Sequence, residues 1–299
     1  FRTLPPMVWL CLLLILVALT ISLPLTGLLV RLGHRFETFD SAGAEGHAKE
    51  LRRVPNTGGI AIFAAIAIPL AAGLLVVKLG FTELLTARVP ELANHLPGII
   101  QQTPAALTLL ACLVILHLLG LIDDRRALGP WVKLVVMLGC AAAVTLVTKS
   151  RLFTLLDPQL GGPWASIAVT VLWITLVTNA LNFIDNMDGL CAGVTTIAAA
   201  CFLAATLLHG QWFIAALLAV LLGASLGFLA FNIPPARIFM GDGGSLVVGF
   251  TLAFLTVRTT YYDPEAAGGW YGVFMPLAVL AVPLYDFITV SLVRLSQGK

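Results

Sequence analysis

The chain is short of charge. Of its 299 residues only 11% are Asp, Glu, Lys or Arg, against 59% hydrophobic, where an ordinary soluble domain carries about 25% charged residues. That deficit excludes two classes at once. A disordered chain needs low hydrophobicity and high charge, and a soluble globule could not cover so much apolar surface with so few ionic side chains. Net charge is only +2, so the basic field that nucleic-acid binding requires is missing and no nucleic-acid partner is expected. Cysteine is scarce as well. Cys11, Cys112, Cys140, Cys191 and Cys201 all lie within apolar runs, without zinc or redox spacing, and read as small core residues. There is no low-complexity tract, no soluble domain and no internal repeat. The short alternating segments of a membrane barrel are absent too. What remains is a polytopic helical membrane protein.

Crossing lipid as a helix takes roughly 20 apolar residues. That ruler gives nine candidate spans, at 7–30, 58–78, 104–122, 130–148, 163–182, 190–209, 212–231, 244–260 and 271–293. The expected fold is therefore all-α, a transmembrane helical bundle forming one integral-membrane domain over 1–299. The first run is too long for a signal-peptide core, and no small-x-small cleavage site follows it. The connection from Phe81 to Thr103 mixes Glu83, Arg88, Glu91, Asn94 and His95 with Leu and Ile. It reads as an interfacial helix or as an ordinary loop.

Parity sets the orientation. With nine spans, one face carries the loops 31–57, 122–130, 183–189 and 232–243 and the C-terminal tail. Eleven Lys and Arg residues, Lys133 among them, belong to that face and six to the other. The positive-inside rule then puts the N-terminus outside and these loops in the cytoplasm.

The same loops hold the informative carboxylates. Asp123, Asp124, Asp185, Asp188 and Asp242 sit at the mouths of spans in three loops that open on one face. At that depth a carboxylate is costly unless it is paired or binds a cation. Five of them call for a counter-ion, and a hard divalent ion such as Mg2+ suits an all-oxygen site. In Gly120-Leu121-Ile122-Asp123-Asp124-Arg125-Arg126, adjacency should raise one carboxyl pKa, which suits a general base. The plainer reading is a helix-end pair bridged to Arg125 and Arg126. Asn179, Asn182, Asp185 and Asp188 recur every three residues, which on a helix would make one polar face. That face reads as a ligand wall, or as an interhelical hydrogen-bonding stripe. In the segment from Asn232 to Ser245, Pro234 and Pro235 stop a helix. The glycines after Phe239 allow close backbone approach, and Asp242 lies beside a helix N-terminus able to receive phosphate. Arg52 and Arg53, just before Pro55, Asn56, Gly58 and Gly59, read as topological charge or as diphosphate contacts.

Taken together, Arg-x-x-Pro-x-x-Gly-Gly (from Arg52), Gly-x-x-Asp-Asp (from Gly120), Asn-x-x-Asn-x-x-Asp-x-x-Asp-Gly (from Asn179) and Phe-Met-Gly-Asp-x-Gly-Ser (from Phe239) resemble the polyprenyl-phosphate N-acetylhexosamine-1-phosphate transferases, in order and across essentially the whole chain. The resemblance implies a phosphotransferase of a bacterial plasma membrane, acting in cell-envelope polysaccharide synthesis. It would convert a UDP-N-acetylhexosamine and a polyprenyl phosphate to polyprenyl-diphospho-sugar and UMP. The reaction would use Mg2+, or Mn2+ in its place, at the cytoplasmic face, and a homodimer is compatible with it. By position, Asp242 resembles the metal ligand, and Asp123 and Asp124 the acidic pair that positions or deprotonates the lipid phosphate. Asn179, Asn182, Asp185 and Asp188 resemble the nucleotide-side polar residues, Phe239 the aromatic that stacks on uracil, Arg52 a basic residue near the nucleotide and Asn232 an asparagine near the metal. The wording Phe-x-Asp-x-x-Asp-Gly around Asp185 tilts the sugar to N-acetylglucosamine, with phospho-MurNAc-pentapeptide transfer as the alternative. Two departures stand out. The family's C-terminal histidine loop and last span are expected beyond the point this sequence reaches, so a non-catalytic homologue is a further alternative. The basic residue expected three positions after Asp124 is Ala127. A transporter is disfavoured, because its ionisable residues would lie near mid-membrane in repeated halves.

Overall fold

In the computed structural model the described residues are 5–36, 54–80, 82, 90–154, 157–259 and 274–298. They form an all-α bundle, with no strand among them. The helices are α1 (Pro6–Arg35), α2 (Gly59–Lys78), α3 (Leu96–Asp123), α4 (Pro130–Thr148), α5 (Trp164–Phe183), α6 (Leu190–Leu208), α7 (Trp212–Asn232), α8 (Asp242–Arg258), α9 (Met275–Val279) and α10 (Ala281–Ser296). A 3-10 turn, Pro90–His95, leads into α3. Helices α1 to α7 are long and apolar enough to cross a membrane. The chain is a multi-pass membrane protein, and a helix is what an apolar run must form where no water can satisfy its backbone. Buried hydroxyls inside the spans follow the same logic. Those of Thr26, Thr145 and Thr251 each donate to the carbonyl four residues back.

Three elements differ from the expected spans. The third begins at Leu96 rather than 104, because Gln101, Gln102 and Pro104 interrupt hydropathy without ending the helix. The eighth is only 17 residues, starts on Asp242 itself, and is buried without a break from Gly243 to Thr256. Enclosed by protein instead of lipid, it tolerates the glycines, serine and threonines that weaken its hydropathic signal. The ninth is not continuous. It breaks at Leu280 between α9 and α10, since Pro283 has no N–H to give the Val279 carbonyl.

Helix α8 is the axis of the bundle, packed by α5, α3 and α2, while α1 lies along α7. Close approach depends on glycine. Gly223 and Gly227 of α7, four apart, let the α1 backbone in: a Cβ on Gly227 would stand 2.7 Å from Ser22 Cβ and 2.8 Å from Leu23 N. Ser22 Oγ donates to the Ala224 carbonyl there at 2.7 Å. Small residues at this spacing allow membrane helices to meet backbone to backbone. Four cysteines are buried as expected, whereas Cys201 is exposed on α6. Side chains such as Leu13, Leu16, Trp131 and Leu172 stay more than half exposed, as a lipid-facing surface requires.

One glycine ties the fold to the site. A Cβ on Gly120 would overlap the Asp242 carbonyl and the Gly243 amide, so α3 meets the start of α8 with no side chain between them. Gly120→Ala should therefore cost about 1–3 kcal/mol, as overpacking does, and lower the thermal unfolding midpoint in detergent. An unchanged midpoint would show that the two helices can separate freely.

Candidate active site at one end of the bundle

Odd-numbered helices α3, α5 and α7 end, and even-numbered α2, α4, α6 and α8 begin, at the same end of the bundle. The three carboxylate loops therefore open together. The first turn of α8 is the organising element. Gly241 adopts φ +68°, and a Cβ there would run into Asn56 and Asp124. Asp124, just past the end of α3, reaches across to this turn. Its Oδ1 accepts the Asp242 amide at 2.9 Å and its Oδ2 the Gly243 amide at 3.2 Å. The next two amides, of Gly244 and Ser245, both donate to the Gly241 carbonyl at 3.0 Å. All four opening N–H groups of α8 are thus satisfied within the protein. This corrects the expectation that they receive a phosphate. Asp124 fills that place instead, where a negative charge suits the helix dipole.

Asp123 faces the other way. Its Oδ1 accepts the Leu128 amide at 2.8 Å and its Oδ2 accepts Lys133 Nζ at 2.9 Å. The same ammonium donates to Asp242 Oδ2 at 2.8 Å, and Asp242 Oδ1 accepts Asn182 Nδ2 at 3.0 Å. Asn182 also donates to Ser245 Oγ at 2.8 Å. Lys133 thus stands between Asp123 and Asp242, and the Lys133 and Asp242 side chains keep 24% and 25% of their exposure, enough for a solute to reach them. Arg125 and Arg126, offered by the sequence as partners of the pair, are exposed. Asp123 and Asp242 share this single ammonium, and Asp124 lies on the far side of the turn. Asp124 is the carboxyl whose pKa rises, to about 6. Burial is the main cause, with Asp242 as the repelling neighbour and the two amides opposing. Adjacency to Asp123 is not the cause.

The other sequence-selected residues divide. Helix α5 ends at Phe183, and Asp185 and Asp188 lie in the turn that follows, so the expected four-residue helical face is only Asn179 and Asn182. Asp-Asn and Asp-Gly pairs favour turns over helix, which explains the stop. Asn179 Nδ2 donates to the Thr175 carbonyl within its own helix at 3.2 Å. Asp188 Oδ2 accepts the Ala236 amide at 3.0 Å, bridging to the proline loop. Asn232 is 3% exposed, accepts the Gly189 amide at 3.0 Å and donates to the Ile238 carbonyl at 2.8 Å. Its side chain braces two loops. Phe239 is half-buried, and its backbone pairs with Pro55 and Gly58, while Gly59 donates to Met240. Those bonds account for Pro55 and the two glycines: a Cβ on Gly59 would strike the Gly243–Gly244 backbone. Arg52 lies outside the described residues.

Three contributors escaped the sequence reading. In the sequence Lys133 is one of the topological charges and nothing more. Its signal was its place in the first turn of α4, where a cation opposes the helix dipole and needs a reason. Asn56 donates to Asp124 Oδ1 at 3.3 Å, and its own Oδ1 is buried without a partner among the described residues. His117, within α3, stacks on Phe63 with ring centroids 4.2 Å apart and donates from Nδ1 to the Gly243 carbonyl at 2.7 Å. It braces α8 from beneath.

Comparison with known proteins identifies the family. Residues 106–260, just over half of the chain, match the family model described as glycosyl transferase family 4. Over 250 residues the chain is 32% identical to the probable undecaprenyl-phosphate N-acetylglucosaminyl 1-phosphate transferase of Bacillus subtilis, covering 82% of this chain and 61% of that one. It is 31% identical over 267 residues to the decaprenyl-phosphate N-acetylglucosaminephosphotransferase of Mycobacterium tuberculosis, with the same two coverages. To the phospho-N-acetylmuramoyl-pentapeptide-transferase of Desulforudis audaxviator it is 30% identical over 260 residues, 81% of this chain and 74% of that one. The chain thus spans 61% of the length of the first two relatives. The matched segment holds all three carboxylate loops, Lys133 and the whole first turn of α8, and on these matches the chain belongs to glycosyl transferase family 4.

Proposed function

We propose that this protein transfers N-acetylglucosamine 1-phosphate from UDP-N-acetylglucosamine to a polyprenyl phosphate, releasing UMP. The observation that carries the reading is the Asp123–Lys133–Asp242 bridge at the mouth of the bundle. Phosphoryl transfer asks mainly for positioning and charge neutralisation, and this is a partly open, ion-rich centre beside lipid. An oxygen of the lipid phosphate attacks the β-phosphorus of the sugar nucleotide. A new P–O bond forms, the bond from that phosphorus to the bridging oxygen breaks, and UMP leaves with the electron pair.

The residues suit a divalent cation of the Mg2+ kind. Such an ion is commonly held by one or two carboxylates together with substrate phosphates, not by a closed protein cage. Among the described residues no three His, Cys, Asp or Glu side chains converge on one point. Asp123 Oδ2 and Asp242 Oδ2 share one cationic partner, and the unpartnered Asn56 Oδ1 lies beside the turn. Asp242 and Asp123 would hold the ion, with Mn2+ as a substitute. When bound, it offsets the repulsion between the two phosphate-bearing substrates. Lys133 holds the two carboxylates in register, Asn182 fixes the Asp242 carboxylate, and Asp124 fixes the turn that carries it. Nucleotide contacts fall to Arg52, Asn179, Asp185, Asp188 and Phe239. The charge asymmetry of the loops supports a cytoplasmic site and an N-terminus outside.

The names of the two relatives at 31–32% identity favour N-acetylglucosamine, and that of the relative covered over 74% of its length favours the muramoyl-pentapeptide nucleotide. The test is UMP release by the purified protein in detergent with undecaprenyl phosphate, using each nucleotide in turn. Release from UDP-N-acetylglucosamine that stops with EDTA is expected. Release only from UDP-MurNAc-pentapeptide would replace the sugar, and release from neither would overturn the reading.

A further inference from the structure

At the end of the bundle away from the carboxylates lies a cavity of about 620 Å³ between α1, α2, α3 and α7. Its walls are apolar, with Leu10, Leu14, Leu70, Leu74, Leu217 and Val220 among them. From Trp212 to Val220 along α7 it extends about 12 Å, at 1.5 Å per residue. Its polar rim holds one strong cation, Arg258, the last residue of α8. This guanidinium donates to Gln102 Oε1 at 2.6 Å. It also lies over the rings of Phe213 and Phe254, 5.4 and 5.6 Å from their centroids. A guanidinium has five N–H donors, and among the described residues no carboxylate pairs with this one. A charge within membrane-spanning structure is costly unless it finds a partner. The wall is unobstructed at two glycines. Gly73 and Gly98 line the cavity inside helices, and a Cβ on either would meet nothing within 4 Å.

We propose that this cavity binds one molecule of an anionic glycerophospholipid, its phosphate held by Arg258 and one acyl chain lying between α1, α2 and α7. The planar guanidinium fork matches a phosphate in a bidentate arrangement, and the leucine-rich walls suit an acyl chain but not a free anion. The site is separate from the candidate active site. Arg258 and Asp242 are the two ends of α8, about 24 Å apart along its axis, so a headgroup on Arg258 cannot take part in chemistry at Asp242.

The test is native mass spectrometry of the purified protein offered phosphatidylglycerol, phosphatidylcholine of the same chains, and undecaprenyl phosphate at equal concentration. One phosphatidylglycerol is expected to stay bound in preference to phosphatidylcholine, while undecaprenyl phosphate, held at the candidate active site, should be retained equally with and without Arg258. Arg258→Gln should weaken it about tenfold, the loss expected for charge-assisted hydrogen bonds, and Arg258→Lys should weaken it less. Gly73→Phe fills the cavity from an unobstructed position, so it should abolish retention while the thermal midpoint measured without added lipid stays put. That variant carries the test if Arg258→Gln does not fold. Equal retention of phosphatidylglycerol and phosphatidylcholine, or unaltered phosphatidylglycerol binding in either Arg258→Gln or Gly73→Phe, would overturn the proposal. Undecaprenyl phosphate retention that falls in Arg258→Gln as phosphatidylglycerol retention does would overturn the choice of lipid.

Discussion

Asp242→Asn should lower Mg2+-dependent UMP release by about a thousandfold or more, the scale on which phosphoryl-transfer centres lose rate when a principal charge-stabilising group is removed. Both neighbours of the Asp242 side chain are donors: Lys133 Nζ at Oδ2 and Asn182 Nδ2 at Oδ1. An asparagine has one acceptor and one donor end. Whichever way it turns, its NH2 faces another donor, and the formal charge for a cation is gone. The backbone of residue 242 should survive, because its amide is held by Asp124 and not by its own side chain. The variant should therefore insert, purify and unfold near the normal temperature while turnover collapses. Turnover within a fewfold of the unmodified protein would remove Asp242 from the centre of the reaction.

Lys133→Met should have the second largest effect, with two readouts moving in opposite directions. The substitution keeps a long unbranched side chain but removes the ammonium shared by Asp123 and Asp242. Two partly buried carboxylates are then left without their common partner, in a centre that also holds Asp124. Turnover should fall about a hundredfold or more, since a misplaced carboxylate at the reacting centre costs on that scale. Divalent-cation binding, read by Mn2+ titration, should tighten, because the ion no longer competes with a fixed positive charge for the same oxygens. Loss of turnover with weaker Mn2+ binding would mean that Lys133 holds the ligand geometry and does not compete with the ion. Unchanged values of both would make it an ordinary helix-end lysine.

The two substitutions differ in how visible their targets were beforehand. Asp242 stood out because a single carboxylate in a glycine-rich turn at a span mouth is rare and costly. Lys133 did not, because one lysine near a cytoplasmic loop is what membrane topology already predicts. Only the fold showed that it bridges carboxylates ten residues before it and 109 after it. Asn232 is a third case. The resemblance sets it near the metal, and the fold adds that both ends of its amide bond the backbone of neighbouring loops. The polar repeat from Asn179 to Asp188 keeps a helical period past the point where α5 stops. A period of three cannot by itself distinguish helix from a turn rich in Asp, Asn and Gly.

Composition and local order along the chain determined the class of molecule. An apolar run of twenty residues has one stable form in lipid, and alternation of span direction brings every second loop to the same end. The all-α membrane fold, most of its spans and the shared mouth of the carboxylate loops were therefore legible in the sequence. Tertiary structure decided which groups meet. That the start of α8 is capped by a carboxylate from α3, that Lys133 lies between two acids, and that α8 is enclosed by protein all depend on contacts between residues more than a hundred positions apart in some cases. Such contacts follow from how glycine-lined helix faces pack, through Gly59, Gly120 and Gly227. Packing depends on the shapes of two surfaces at once, and no single stretch of sequence contains both.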